Sequence, residues 1–203
     1  MSVNVEFSTK EISGIVLKNT LMILKRRKLI DNHESLFDDL KDIFTQKGIV
    51  EFTDDKKKKN SINLSSGKLS SIVQGSQLDD YLKNNTDVHK IIIMKEPSKK
   101  VIKQVNTEYP NAEVFFEHEV MEDIPSKFFM PEHQLLSEDE KKDILDMFKE
   151  SELAKINDTD VMARYYAAKV GDIFRIIRPS ITAGKNIFYR RVVAGNLNQL
   201  FDC

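Results

Sequence analysis

A chain of 203 residues that is 40% hydrophobic and 31% charged can build a core, which excludes wholesale disorder and suggests one large domain or two small ones. Its 31 Lys and Arg stand against 32 Asp and Glu, a net charge of -1, so it lacks the basic surplus by which a self-sufficient nucleic-acid binder usually declares itself. The lone cysteine, Cys203, excludes an internal disulfide framework and a cysteine-based zinc site and points to a reducing compartment.

Met1 to Glu6 lack the basic and apolar regions of a secretory signal, and the apolar stretch Ile12 to Leu24 is interrupted by Lys18 and Asn19 and too short to span a bilayer. A soluble intracellular protein with no membrane partner is expected. Ser8 with Glu11 three residues on predicts a reciprocally capped helix start, followed by Ile12, Ile15, Val16, Met22 and Ile23 at helical spacing. A second helix, Ser35 to about Lys47, carries Leu36, Phe37, Leu40, Ile43 and Phe44 on one stripe and stops at Gly48. Two strand-like runs, Ile49 to Phe52 and Ser61 to Leu64, flank the charged segment Asp54 to Asn60, which reads as a solvated hairpin tip. A short helix over Gln77 to Lys83 precedes a buried strand, Val88 to Met94. Glu96-Pro97-Ser98 opens another helix with Pro97 at its first position and Val101, Ile102 and Val105 inward, and Glu113 to His118 reads as the next strand.

Pro125 and Pro131 mark a domain boundary, giving units 1–129 and 130–203. In the second, Ser137 with Glu140 repeats the capping signature ahead of Ile144, Leu145 and Phe148, in a helix ending near Ser151. Asp160 caps a short helix, Val161 to Val170, closed by Gly171. Asp172 to Arg178 reads as a strand stopped by Pro179, Thr182-Ala183-Gly184 as a turn in which Gly184 takes positive φ, and Asn186 to Val193 as the returning strand. The fold class is α+β in two domains: N-terminal helices on a small mixed sheet, then two helices and a small antiparallel sheet.

Three blocks, Pro131 to Lys141, Asp160 to Tyr166 and Ile176 to Gly184, followed by Tyr189-Arg190 and Val192-Val193, resemble the C-terminal domain of the fifth subunit shared by eukaryotic RNA polymerases I, II and III, which has a counterpart in the archaeal polymerase. Val88 to Met94, Glu96-Pro97-Ser98 and Glu113 to His118 resemble that family's N-terminal jaw more loosely. The chain departs from the family at Val161 and Ala154, where it has proline, at Ala167, where glycine is usual, and at Glu96, where threonine precedes Pro97; residues 53 to 87 match poorly. This divergence and the Lys- and Asn-rich composition are similar to what a viral copy of the African swine fever virus type would show.

The resemblance implies a non-catalytic assembly subunit that docks on the largest polymerase subunit and the rest of the core and sets its jaw beside downstream duplex DNA. A viral copy would work in host cytoplasm and virion, a cellular one in the nucleus. The charge pattern fits: residues 130 to 160 hold ten acidic and four basic side chains, residues 161 to 193 one acidic and seven basic. The acidic helix can neutralise its own basic sheet, and the resemblance implies that Arg164, Arg178 and Arg190, with Tyr165 and Tyr166, face the partner; both can hold at once, and one of the two tyrosines is expected in the core. Pro179 and Gly184 shape the turn. Lys95, Lys99 and Lys100 around Pro97-Ser98 are candidates for weak, non-specific phosphate contact at a helix start.

Two other classes compete. A free-standing DNA-binding regulator would need a basic surplus. An enzyme would need a site, yet His33, His89, His118 and His133 are scattered, alternation puts Glu117 and Glu119 opposite His118, and no phosphate-loop, dinucleotide or nucleophile-elbow motif is present. No metal or cofactor is expected.

Overall fold

The computed structural model describes residues 7–180 and 184–201, with the backbone alone at 66 and 68. The chain divides into two units, Met1–Glu122 and Asp123–Cys203, just before Pro125.

In the first unit, Ser8 caps helix α1 (Thr9–Arg26): the Glu11 N–H donates to its hydroxyl at 3.3 Å, and its own N–H donates to the Glu11 carboxylate at 2.8 Å. Val16, Leu17, Leu21, Ile23 and Leu24 form the buried stripe, while Ile12, Ile15 and Met22 are only half-buried. Helix α2 (His33–Lys47) starts before the expected Ser35, because Asn32 accepts the Ser35 N–H. Gly48 ends it at φ +68°, and its N–H donates to the Phe44 carbonyl at 2.8 Å. Leu40 and Phe44 are buried but Ile43 is exposed, so the apolar stripe is narrower than the spacing predicts.

Strands β1 (Ile49–Thr53) and β2 (Lys59–Leu69) form the expected hairpin. Helix α3 (Gln77–Lys83) leads to β3 (His89–Pro97), and helix α4 (Lys99–Glu108) to β4 (Ala112–Phe116). The sheet order is β1-β2-β3-β4, antiparallel at the first pair and parallel at the other two, as helical crossovers require. Ile91, Ile92, Ile93 and Met94 are all buried, the mark of a strand covered on both faces. The last strand ends sooner than expected. Phe116 is followed by the helical turn α5 (Glu117–Val120), in which Glu119 accepts the Phe116 N–H at 2.8 Å, so Glu117, His118 and Glu119 do not alternate on a strand.

The hairpin tip is not wholly solvated. Asp54 and Asn60 at its ends are buried, since Asp54 accepts the Lys58 N–H at 2.7 Å and the Asn60 amide at 3.2 Å. Pairing register puts Asn60, His89 and Glu113 on one face, where they continue the chain of contacts. His89 Nδ1 lies 3.2 Å from Asn60 Oδ1 and its Nε2 2.7 Å from Glu113 Oε1; Arg27, just past α1, donates to both Glu113 oxygens at 2.8 and 2.7 Å. Burial raises the Glu113 carboxyl, but the charges and hydrogen bonds of Arg27 and His89 outweigh it and hold the group down at about 2.

In the second unit, the turn Ile124–Ser126 precedes β5 (Glu132–Leu135). Helix α6 (Glu138–Met147) has the predicted Ser137–Glu140 box. It ends before Ser151 because Phe148 turns extended, leaving Leu145 and Phe148 exposed while Ile144 is buried. Then come β6 (Ala154–Asn157), helix α7 (Val161–Tyr165), β7 (Ile173–Ser180), β8 (Gly184–Val193) and a closing turn, Leu197–Phe201. The expected antiparallel β7–β8 pair is present. It is widened by β5, antiparallel to β7, and β6, parallel to β8, which makes a mixed sheet in the order β5-β7-β8-β6.

Helix α7 stops at Tyr165, short of Val170, because Ala167 takes φ +50°. A Cβ disfavours that left-handed conformation. Pro179 does not end its strand. It pairs with Lys185, and β5 reaches only to Ile177, so the missing N–H falls on an open edge. Gly184 has the expected positive φ, +71°, whereas Thr182 and Ala183 lie outside the described residues.

Glu113→Gln should destabilise the chain by roughly 1–3 kcal/mol near neutral pH, because it removes the charge from the paired acceptor of Arg27, whose side chain is 5% exposed and donates to both Glu113 oxygens. The folded-state value lies below the ordinary 4.5, so this stabilisation is complete above 4.5 and fades as pH falls towards about 2. Urea unfolding of both proteins across that window should show the difference closing. Ala167→Gly should raise stability by about 1 kcal/mol, read as a higher unfolding midpoint; an unchanged or lower midpoint would contradict the strain assigned to that backbone.

Candidate functional site

Strand pairing sorts the arginines of the second unit onto two faces. Residues opposite one another in register share a face, and the face alternates along each strand. Arg175, opposite Tyr189, and Arg191, opposite Ile173, lie on the side where Leu136, Ile144, Leu153 and Ile173 form a core that includes Ile144 of α6. Arg178, opposite Asn186, and Arg190, opposite Phe174, lie on the other side, where Ile156, Ala163, Phe174, Ile176 and Val192 pack with Tyr166.

On the α6 side the acids meet the bases. Arg175 donates to Glu140 at 3.2 Å, Arg191 pairs with Glu150, and Lys141 lies 3.9 Å from Asp172. The Tyr189 hydroxyl, then the Glu140 charge, hold the Arg175 guanidinium above its ordinary value. On the α7 side the pattern differs. The exposed Arg178 sits over the Phe188 ring, 5.5 Å from its centroid, and neither it nor Arg190 has a carboxylate in ion-pair contact among the described residues. Phe188 is itself exposed, as is its neighbour Ile187.

The other expected interface residues divide. Arg164, half-buried on α7, belongs to this side. Tyr166, half-buried, stacks edge-on against Phe174 at 5.7 Å. Tyr165 corrects the expectation for it: at 2% exposure its side chain lies inside the unit and offers no surface, so it is the core member of the pair.

His133 joins the same face and was missed as a site residue. It lies opposite Ile176, donates from Nδ1 to the Pro131 carbonyl at 2.8 Å and packs edge-on against Phe174. Burial pushes its pKa down, and Arg190 and Arg178 push the same way against the Pro131 carbonyl and Asp160. Phe188 was missed too. The signal for both was available in principle, as alternation from Arg178 and Arg190, but needed the pairing register.

The lysine candidates lie in the first unit. Pro97 is not the first residue of α4. It closes β3 opposite Leu69 and is buried, and Ser98 is the cap, accepting the Val101 N–H at 3.3 Å while its own hydroxyl donates to the Ser70 carbonyl at 2.8 Å. Lys95, Lys99 and Lys100 are exposed around that start. No group of three or more His, Cys, Asp or Glu among the described residues could hold a metal ion, and no described helix is long and apolar enough to cross a membrane.

Fold and face together define the class: a two-unit α+β protein whose C-terminal unit holds a small mixed sheet, cationic and aromatic on one side. Residues 122–192 match the sequence profile of the RNA polymerase Rpb5 C-terminal domain. The chain is 35% identical over 128 residues to DNA-directed RNA polymerase subunit 5 of Acanthamoeba polyphaga mimivirus, covering 62% of each protein. It is 33% identical over 129 residues to subunit rpabc1 of DNA-directed RNA polymerases I, II and III of Dictyostelium discoideum, covering 60% of this chain and 66% of that one. It is 41% identical over 66 residues to RNA polymerase subunit Rpo5 of Archaeoglobus fulgidus, covering 32% of this chain but 87% of that one. The chain belongs to the RNA polymerase subunit 5 family, and its match spans a little under two thirds of the longer relatives.

Charge reversal separates the two faces. Arg175→Glu, set against Glu140, should cost roughly 1–2 kcal/mol in urea unfolding, whereas Arg178→Glu should change stability by no more than about 0.5 kcal/mol. Equal losses would mean that the α7 side is as internally committed as the α6 side.

Proposed function

We propose that this chain is a non-catalytic structural subunit of a multisubunit DNA-directed RNA polymerase, seated on the largest subunit through the α7 side of its C-terminal sheet. The observation that carries this reading is the partition of arginines. Arg175 and Arg191 are matched by the chain's own acids, while on the Phe188 side Arg178 is exposed and Arg190 half-buried, neither with a carboxylate partner among the described residues. Unmatched arginine next to an exposed aromatic is the composition of a protein-binding surface, and a partner's carboxylates would complete it. The relatives, polymerase subunits by name, support the same assembly. Arg164 and Tyr166 contribute the rim in this reading.

The N-terminal unit then acts as a jaw beside downstream duplex DNA. Lys95, Lys99 and Lys100 supply positive charge near the capped start of α4, enough for a few phosphates and no base readout. Residues 1 to 129 carry 20 basic and 20 acidic side chains, so the contact assists an assembled polymerase and does not recruit one. The mimivirus relative supports a viral copy; in this reading such a copy works in host cytoplasm and is packaged in the virion.

Tagging the chain in cells that express it should recover the two large catalytic subunits in stoichiometric amount. Arg178→Glu, folded by its unfolding curve, or removal of residues 131–203 should abolish that recovery. Shortening the exposed Lys56 to Lys58 should not, provided the buried Asp54 and Asn60 are kept. Recovery of the full assembly by the truncated chain would refute the docking role.

A further inference from the structure

A cavity of about 360 Å³ opens in the first unit, away from the lysines at the start of α4. It lies where the last turn of α3, the start of β3 and the turn between α4 and β4 meet. Leu82, Tyr109, Pro110 and Ala112 make its walls mostly apolar, and Lys90 is its buried polar member. That volume and lining are those of a small-ligand site: apolar walls with few polar groups to fix orientation.

Lys90 is the unusual part. The residue is 4% exposed, and its ammonium donates to the Leu82 carbonyl at 2.8 Å and to the Asn84 carbonyl. The Tyr81 ring, 5.4 Å away, faces the charge without accepting a full hydrogen bond. No carboxylate forms an ion pair with it among the described residues, and Glu51 acts on it only from a distance. An ammonium has three donors, so one remains. Buried cations are ordinarily matched by an anion, because two carbonyl dipoles do not replace the lost hydration. The two charges nearer the mouth have partners already: Lys83 pairs with Asp79 at 2.7 Å, and Glu108 accepts from Gln104 at 3.1 Å.

We propose that this cavity binds a small monocarboxylate with a short apolar or aromatic body, its carboxylate on Lys90 Nζ and its body against Leu82, Pro110 and Ala112. The site belongs to the first unit and does not depend on the docking face. It would give the jaw unit a small-molecule ligand that adds rigidity between α3 and α4.

The full-length protein, labelled with ¹⁵N, is titrated with benzoate and with the neutral isostere benzamide. Benzoate should shift the resonances of Leu82, Thr86, Lys90 and Asn111 selectively, raise the melting temperature and bind about tenfold or more tighter than benzamide, as expected of a charge-assisted hydrogen bond to a buried ammonium. Lys90→Met should remove the preference for benzoate. Ala112→Leu, which fills the cavity and leaves Lys90 on its carbonyls, should remove binding of both compounds. If either variant fails to fold, the benzoate-to-benzamide ratio in the unaltered protein decides. Equal affinity for the two compounds, shifts spread over the surface lysines, or no shift at tens of millimolar benzoate would each overturn the proposal.

Discussion

The period-two alternation of β7 and β8 is the constraint on which the second unit depends. Because consecutive side chains of a strand face opposite ways, Arg175 and Arg178, or Arg190 and Arg191, cannot serve the same purpose however close they stand in sequence. One member of each pair is drawn to the acidic helix α6 and the residues after it, the other to the side of α7. Self-neutralisation and the proposed docking can therefore hold together, because they concern opposite faces of one sheet. A one-residue slip of the pairing would exchange them, and it would also put Phe174, Ile176 and Val192 on the wrong side, so the same burial that stabilises the core fixes which arginines are offered outward.

The first unit is held at one end of its sheet by polar contacts. Asp54, Asn60, His89, Glu113 and Arg27 come from the hairpin, three strands and the end of α1, and each satisfies its neighbour's hydrogen-bonding capacity. On the opposite face, Tyr81 of α3 donates to Ser61 at 2.7 Å and Tyr109, just past α4, donates to Asp79 at 2.8 Å. Asp79, buried, is held at about 2 by its bonds from Lys83, Gly75 and Tyr109. Such networks specify one arrangement of strands and helices more than they add net stability, since a mispaired alternative would leave a buried charge unmatched.

Local signals were readable where a side chain acts on its own backbone. Both Ser–x–x–Glu boxes, the Gly48 stop and the positive φ of Gly184 follow from rules that involve three or four neighbouring residues. What the sequence did not disclose depends on contacts distant along the chain. The four-residue strands β5 and β6 carry too few residues for a periodic signal and exist because β7 and β8 offer edges to pair with. Pro97 misled because a proline before a serine fits either the first helical position or the residue ahead of the cap; the pairing with Leu69 decided between them. Tyr165 and Tyr166 are indistinguishable as letters, and only the pitch of a five-residue helix turns one into the core. Asp54 looks like part of a solvated charge run, but its carboxylate closes the hairpin from within.

Ala167 shows how family resemblance and physical constraint can separate. The resemblance leads one to expect glycine at this position; the chain has alanine, yet the backbone there takes a φ of +50°, the conformation for which glycine is suited. The turn is retained because the next residues depend on it: the Ala168 N–H donates to the Ala163 carbonyl at 2.9 Å, and Gly171, at φ +96°, donates to the Val192 carbonyl at 2.9 Å, which brings the chain back to β7 in register. The strain of one residue is thus borne by the packing of Ala163, Phe174 and Val192, and the α7 side of the sheet keeps its geometry although the residue that would hold the turn with least strain is absent.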